Sequence, residues 1–332
     1  MITKLSIANF KSIRQLDLDC RKINLFIGEP NTGKSNILEA LALLSWSARL
    51  TQSALRDYVR FELTQDLFYD RLLVNEAIRI SVSFSSGQPA AELFIEFRND
   101  RFELRHQPTT STKAFATLDH QGKANGEGFG RTGDVKFFRF RSLDQYAGKE
   151  PGSLRPPDGV NLFSVVAASE ALQETMAEFF QKYGLVLAME PHERVFKLQK
   201  QKPGKARIIV SYPYALQSDT LRRIIFYTVA IASNKNSVLV FEEPESNAFP
   251  YYTKYLGERI ALDETNQFFI ATHNPYLLSA IVEKGRREDV QVFITYFQDY
   301  QTKAKPLTAD EVSELMEADP FFNLDRFIED GQ

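Results

Sequence analysis

The sequence predicts an α/β fold: a mixed sheet with buried parallel strands at its centre and antiparallel strands added around it. Three observations predict it. Residues 23–44 open with an apolar run (Ile23, Leu25, Phe26, Ile27), stop at Gly28, and resume after a loop with Ile37, Leu38, Leu41 and Leu44 at helical spacing. That pattern is strand, loop, helix. Residues 238–241 and 268–271 are continuous apolar runs, the mark of strands covered on both faces. Residues 77–105 alternate with period two and are punctuated by Gly87-Gln88-Pro89 and Asn99-Asp100, which predicts an antiparallel meander.

The 332 residues, 43% of them hydrophobic, suffice for one large domain or two. A net charge of -3 argues against wholesale wrapping by nucleic acid and leaves room for a local basic patch. Cys20 is the single cysteine, so no internal disulfide forms, and four histidines without further cysteines give no cysteine-based zinc site. No apolar run has the length of a membrane span, and the opening MITKLSIANF lacks a signal-peptide core. A soluble, cytoplasmic protein without membrane contact is expected.

Taken in order, residues 2–20 read as two short antiparallel strands leading into the strand at 23–27. The loop that follows spells GxxxxGKS from Gly28 to Ser35. Gly28 and Gly33 let backbone pass where a Cβ would clash, so that successive N–H groups and the helix N-terminus surround phosphate oxygens. Lys34 reaches the β and γ phosphates as a point charge, and the Ser35 hydroxyl ligates Mg²⁺. Asn31, Thr32 and Asn36 belong to the same binding loop; Pro30 has no N–H and removes one donor.

Residues 46–75 read as helical from the loose spacing of Trp46, Leu50, Leu55, Val59 and Leu63. After the meander, residues 107–133 carry five glycines and few apolar side chains, the composition of a mobile loop. Its Lys113, Lys123 and Arg131 read as solvated charges or as contacts to nucleic acid or a partner. A strand at 135–140, an amphipathic helix at 160–183 stopped by Gly184, and strands at 185–189, 194–199 and 206–212 follow. The run Lys197, Lys200, Lys202, Lys205 and Arg207 reads as a charged hairpin face or a DNA contact. No heptad array, internal repeat or low-complexity tract occurs.

The strand at 238–241 ends in Glu242-Glu243-Pro244-Glu245, and the carboxyl end of a parallel strand is where such sheets present ligands. Glu242 is placed to hold Mg²⁺ through water and Glu243 to polarise an attacking water. The strand at 268–271 leads to His273.

IANFKSI followed by GEPNTGKSNILEAL resembles the N-terminus of the ABC-type ATPases related to SMC, RecF and OLD-family proteins, a branch of the P-loop NTPases. The resemblance implies an ABC-ATPase-like mixed sheet with an antiparallel β lobe and an inserted helical lobe. It implies one ATPase domain over 1–300, made of a phosphate-loop lobe (1–75), an antiparallel region (76–145), a helical and β lobe (146–235) and an acidic-strand half (236–300), with an acidic tail at 301–332. It makes Lys11 of NFKS either a nucleotide contact or a solvated turn residue, and Gln145 a candidate for the glutamine that senses metal and γ-phosphate. EEPE looks like the OLD-like motif, THNPYLL is similar to THSPYLL and makes His273 a switch that contacts γ-phosphate, and residues 244–250 stand where such ATPases contact a partner copy.

The signature segment departs from the pattern. Family members read like LSDGTLR or LSGGQ, whereas residues 215–222 read ALQSDTLR without the glycine. An anionic Asp219 about 4 Å from a phosphate charge would cost about 4 kcal/mol at an effective dielectric of about 20. Either Asp219 turns away to cap its helix and Ser218 takes the phosphate contact, or activation across a dimer is weak; slow turnover is expected both ways.

The resemblance implies ATP and Mg²⁺ as cofactors, a homodimer or higher oligomer closing around them, and a separate effector protein as in small bacterial antiphage ATPases resembling Septu, Gabija and PARIS. After His273 no acidic constellation of the TOPRIM kind occurs, so no nuclease activity is expected. Two other readings stand: a RecF-like DNA-binding repair protein, and a nucleotide-locked scaffold. The tail, acidic yet rich in apolar residues from Val312 to Ile328, packs on the parent domain or docks a partner.

Overall fold

The structure is a computed structural model that describes residues 1–73, 76–85, 90–106, 113–202, 208–317, 321–322 and 324–329. Antiparallel β1 (Ile2–Phe10) and β2 (Ile13–Asp19) precede β3 (Ile23–Ile27) and α1 (Lys34–Ser47). The meander β4 (Ile78–Phe84), β5 (Ala91–Arg98), β6 (Arg101–Arg105), β7 (Ala116–Leu118) and β8 (Ala124–Gly126) leads to β9 (Val135–Phe138). Next come α2 (Leu162–Ala167), α3 (Glu170–Gln181), the strands β10 (Val186–Glu190), β11 (Val195–Gln201) and β12 (Ile209–Pro213), and α4 (Asp219–Ser233). The last part alternates β13 (Val238–Glu242), α5 (Pro250–Ala261), β14 (Gln267–Ala271), α6 (Pro275–Lys284), β15 (Val290–Gln298) and β16 (Gln301–Pro306), and closes with α7 (Ala309–Glu317) and α8 (Leu324–Glu329).

The central sheet runs β16-β15-β3-β14-β13-β9, parallel except for β16. Every residue of β3 and β14 is buried, as their unbroken apolar runs require. Ile23, Leu25 and Ile27 face one core with α4, α5 and α6; Phe26 faces a second core that contains α1. A seven-stranded antiparallel sheet, β2-β1-β4-β5-β6-β7-β8, covers the other side of α1. The helix is therefore buried all round, twelve of its fourteen residues, and shows no polar stripe. Because β14 separates β3 from β13, the phosphate-type loop and the paired glutamates leave the sheet at the same edge, one strand apart.

Three expectations are corrected, and part of a fourth lies outside the described residues. Residues 46–75 are not one helix: α1 ends at Ser47, and only 3₁₀ turns follow at Leu55–Asp57, Thr64–Leu67 and Tyr69–Arg71. Left-handed backbone at Asp70 and Arg71 is incompatible with a continuing helix. Of residues 107–133, 107–112 lie outside the described residues, while 113–133 supply β7, β8 and a 3₁₀ turn instead of an unstructured loop. The helix expected at 160–183 is two, because Ser169 adopts an extended conformation and its Oγ accepts from the Leu172 N–H as the cap of α3. Lys205 and Arg207 of the basic run also lie outside the described residues.

The tail packs on its own chain: Leu315, Leu324 and Phe327 enter the first core, and Lys305 Nζ donates to the Phe327 carbonyl and pairs with Glu311 at 3.0 Å. Asp319 and Asp330 lie outside the described residues.

Candidate nucleotide site

The loop after β3 has left-handed backbone at Gly28 (φ 149°), Asn31 (φ 64°) and Gly33 (φ 95°). It is backed by β15 and β16. A Cβ on Gly28 would lie 2.3 Å from the Thr295 carbonyl, and one on Gly33 would lie 1.9 Å from Thr302 Oγ1. Both positions thus demand glycine for space as well as conformation. Thr32 completes the wall, its hydroxyl 2.8 Å from Thr295 Oγ1. Nothing in the sequence pattern pointed to Thr295 or Thr302.

Lys34 is nearly buried, and its Nζ donates to the carbonyls of Gly28 (2.9 Å) and Glu29 (2.7 Å). Burial pulls its pKa down to about 8 against the opposing pull of Glu243 and Glu29. Asn36 Nδ2 donates to Ser12 Oγ at 2.7 Å. A cleft of about 430 Å³ is lined by Ser12, Pro30, Asn31, Gly33, Lys34, Ser35, Asn36, Arg60, Glu243 and His273. The sequence-predicted loop, base and histidine therefore meet in one place.

Glu242 lies beside it. The Ser35 hydroxyl hydrogen-bonds to the Glu242 carboxylate, whose two oxygens are also held by Arg60 (2.9 Å) and Arg139 (2.7 Å). Burial alone would raise this acid; Arg139, Ser35 and Arg60 outweigh it and hold the carboxyl below its usual range. Glu243, the next residue, has left-handed backbone (φ 43°), a strained conformation of the kind that collects at functional sites. Its Oε1 is 3.6 Å from His273 Nε2, and burial together with Lys34 pushes the imidazole pKa down, favouring the neutral ring.

Three expected residues sit elsewhere. Lys11 is not on the cleft wall: left-handed at the β1–β2 turn, it points at α1 and pairs with the buried Glu39. Gln145 lines a different cleft with Tyr146, Glu193 and Tyr214; beside Glu242 stands Arg139, the first residue after β9. Ser218, not Asp219, caps α4, its Oγ accepting from the Leu221 N–H at 3.4 Å, while Asp219 opens the helix and lies 4.0 Å from Arg222. Neither lines this chain's own cleft.

The sequence reading missed Glu39, Arg60 and Arg139. Fully buried Glu39 takes Lys11, Arg60 (2.8 Å) and Arg139 (3.7 Å) around one carboxylate, and the same two arginines pass on to Glu242. A charged residue inside the apolar run of α1 was the available signal. Glu39→Ala leaves the part-buried Lys11 without its anion and is expected to destabilise the fold by about 3 kcal/mol in urea unfolding; a loss below about 0.5 kcal/mol would contradict this network.

A profile of the family described as "AAA domain, putative AbiEii toxin, Type IV TA system" matches residues 23–279, the span that holds the loop, both acids and His273. The chain belongs to this family. The fold of this AAA domain is that of SMC heads. A crystal structure of the SMC head bound to the C-winged helix domain of ScpA superposes with a TM-score of 0.58 at 12% identity, covering 94% of this chain and 99% of that one. An SMC head domain with an extended coiled coil, bound to the C-terminal domain of ScpA derived from Pyrococcus furiosus, gives 0.55 at 12% identity over 95% and 98%. The DNA replication and repair protein RecF of Caldanaerobacter subterraneus subsp. tengcongensis is 34% identical over 77 residues, 23% of this chain and 21% of that protein's length. The AAA domain thus has the ABC-type fold of SMC heads and carries a stretch similar to RecF. Among the described residues no helix is long and apolar enough to cross a membrane.

Proposed function

We propose that the chain binds ATP with Mg²⁺ in the cleft between the loop and the paired glutamates, hydrolyses it slowly, and uses the cycle to pair two copies and control a separate effector. One observation carries the reading: Lys34, Ser35, Glu242, Glu243 and His273, from three separate segments, converge at one edge of the sheet.

The residues present fit a hard cation. Ser35 and Glu242 offer adjacent oxygens, and the two guanidiniums on Glu242 already supply the positive charge that its position calls for. Bound there, Mg²⁺ would neutralise phosphate charge as a Lewis acid. Lys34 and the loop N–H groups bind the β and γ phosphates, and Glu243 takes the proton of the attacking water. His273, neutral and beside Glu243, orients the γ-phosphate end.

Pairing is supported by the ends of α4 and α5. Thr220 Oγ1 donates to the Asn247 carbonyl at 2.7 Å, joining the signature segment to the segment before α5, and Leu216 and Phe249 nearby are exposed (76% and 67%). In this reading Ser218 at the start of α4 meets the partner copy's phosphate, and Asp219 next to it keeps turnover slow. An effector fits the SMC heads, which are seen bound to ScpA, and the toxin–antitoxin description of the family, in line with an antiphage role.

Light scattering with ATP·Mg²⁺, with ADP and without nucleotide tests the pairing. A dimer only with ATP, and turnover below about 10 per second, are expected; a dimer independent of nucleotide would contradict the reading. The RecF similarity favours a second reading, ATP-dependent DNA binding, which steep loss of DNA affinity with salt would support.

A further inference from the structure

Glu245 enters none of the steps above, yet it is buried, two residues after the proposed base. The turn that starts at Glu243, closed by the Ser246 N–H on the Glu243 carbonyl (3.0 Å), leaves Glu243 on the cleft and sends Glu245 inward. Its Oε1 accepts from Thr272 Oγ1 at 2.5 Å, and the His273 backbone N–H lies against the same carboxyl. Thr272 Oγ1 accepts in turn from the Asn274 N–H (3.0 Å), and the Thr272 N–H donates to the Phe26 carbonyl (3.1 Å), two residues before Gly28. Oε2 finds no hydrogen-bond partner among the described residues.

Burial pushes the pKa of this carboxyl up to about 7. A buried acid with an unpaired oxygen is a costly way to hold a turn, since an apolar side chain of similar size would pack there without the desolvation. What the acid adds is connection. His273 Nε2 and Glu243 Oε1, 3.6 Å apart, are not joined by a hydrogen bond of normal length, so their alignment depends on the backbone at 272–274. Displacements of about 1 Å at such a centre can cost about 100-fold in rate.

We propose that Glu245 is a positioning residue: by holding Thr272 and the main chain of His273, it sets the imidazole against Glu243 and links both to the strand that carries the phosphate-binding loop. The proposal rests on the hydrolysis reading above and deepens it.

The test uses the full chain as Glu245→Leu, Glu245→Gln and Thr272→Val. Glu245→Leu is expected to lower kcat at least tenfold while KM for ATP changes less than threefold. Glu245→Gln, which keeps an acceptor at Oε1, is expected to stay within threefold of the parent. Hydrogen–deuterium exchange at the amides of His273 and Asn274 should accelerate at least tenfold in the leucine variant and stay unchanged in the glutamine variant. Should Glu245→Leu fail to fold, Thr272→Val, of nearly the same shape, should lower kcat at least threefold with Thr272→Ser restoring it. A leucine or valine variant with kcat within threefold of the parent overturns the proposal, as do exchange rates that do not change or a glutamine variant no better than leucine. A parent chain without any turnover would remove the hydrolysis reading instead, and the exchange rates would still decide whether Glu245 holds this loop.

Discussion

Glu243→Gln is expected to lower ATP turnover by about 10²- to 10⁴-fold, the span of a lost general base, with ATP affinity within about threefold of the parent. The exchange is nearly isosteric, so the left-handed turn and the contact from Ser246 Oγ to Oε2 (3.1 Å) have no steric reason to change. What disappears is the ability to take a proton from water. ATP should then persist in the cleft, and the paired form should accumulate in light scattering with ATP alone. A rate within threefold of the parent in a steady-state phosphate-release assay would place the base elsewhere.

Lys34→Ala should act on binding. The amine makes two hydrogen bonds to loop carbonyls, and phosphate oxygens would replace those partners with charge-assisted ones, each worth about 1.5–3 kcal/mol. Losing them weakens ATP binding by about 100-fold, equivalent to about 3 kcal/mol. The lowered pKa adds a pH signature. With a value of about 8 in the free protein, the amine is charged below that pH and neutral above it. Bound phosphate favours the charged form and raises the pKa, so binding takes up a proton above about pH 8. Affinity should then fall with rising pH, by at most tenfold per unit, and the slope should vanish in Lys34→Ala. Titration calorimetry in buffers of different ionisation enthalpy reads both effects; an affinity independent of pH from 7.5 to 9.5 would contradict the role assigned to Lys34.

What was legible in the sequence is what local chemistry dictates. Gly28 and Gly33 have no substitute beside Thr295 and Thr302, and strands buried on both faces announce themselves as unbroken apolar runs at 238–241 and 268–271. The parts that stayed hidden depend on tertiary partners. Arg60 follows a 3₁₀ turn with no periodicity of its own, and Arg139 and Gln145 differ only in where the chain turns after β9. A single extended residue at Ser169 broke a helix whose apolar spacing continued across it. The three-residue strands β7 and β8 are stabilised by the sheet they extend and not by their own composition.

The central claim is that one metal-bound triphosphate touches both Lys34 and Glu242, and a double-mutant cycle tests it most directly. ATP affinity in the presence of Mg²⁺ is measured for the parent, Lys34→Ala, Glu242→Gln and the double variant. Through a shared ligand the two losses should fail to add, with a coupling of about 1 kcal/mol or more. Losses that add to within about 0.3 kcal/mol would mean that the two residues serve different sites, and would contradict a single nucleotide gripped between them.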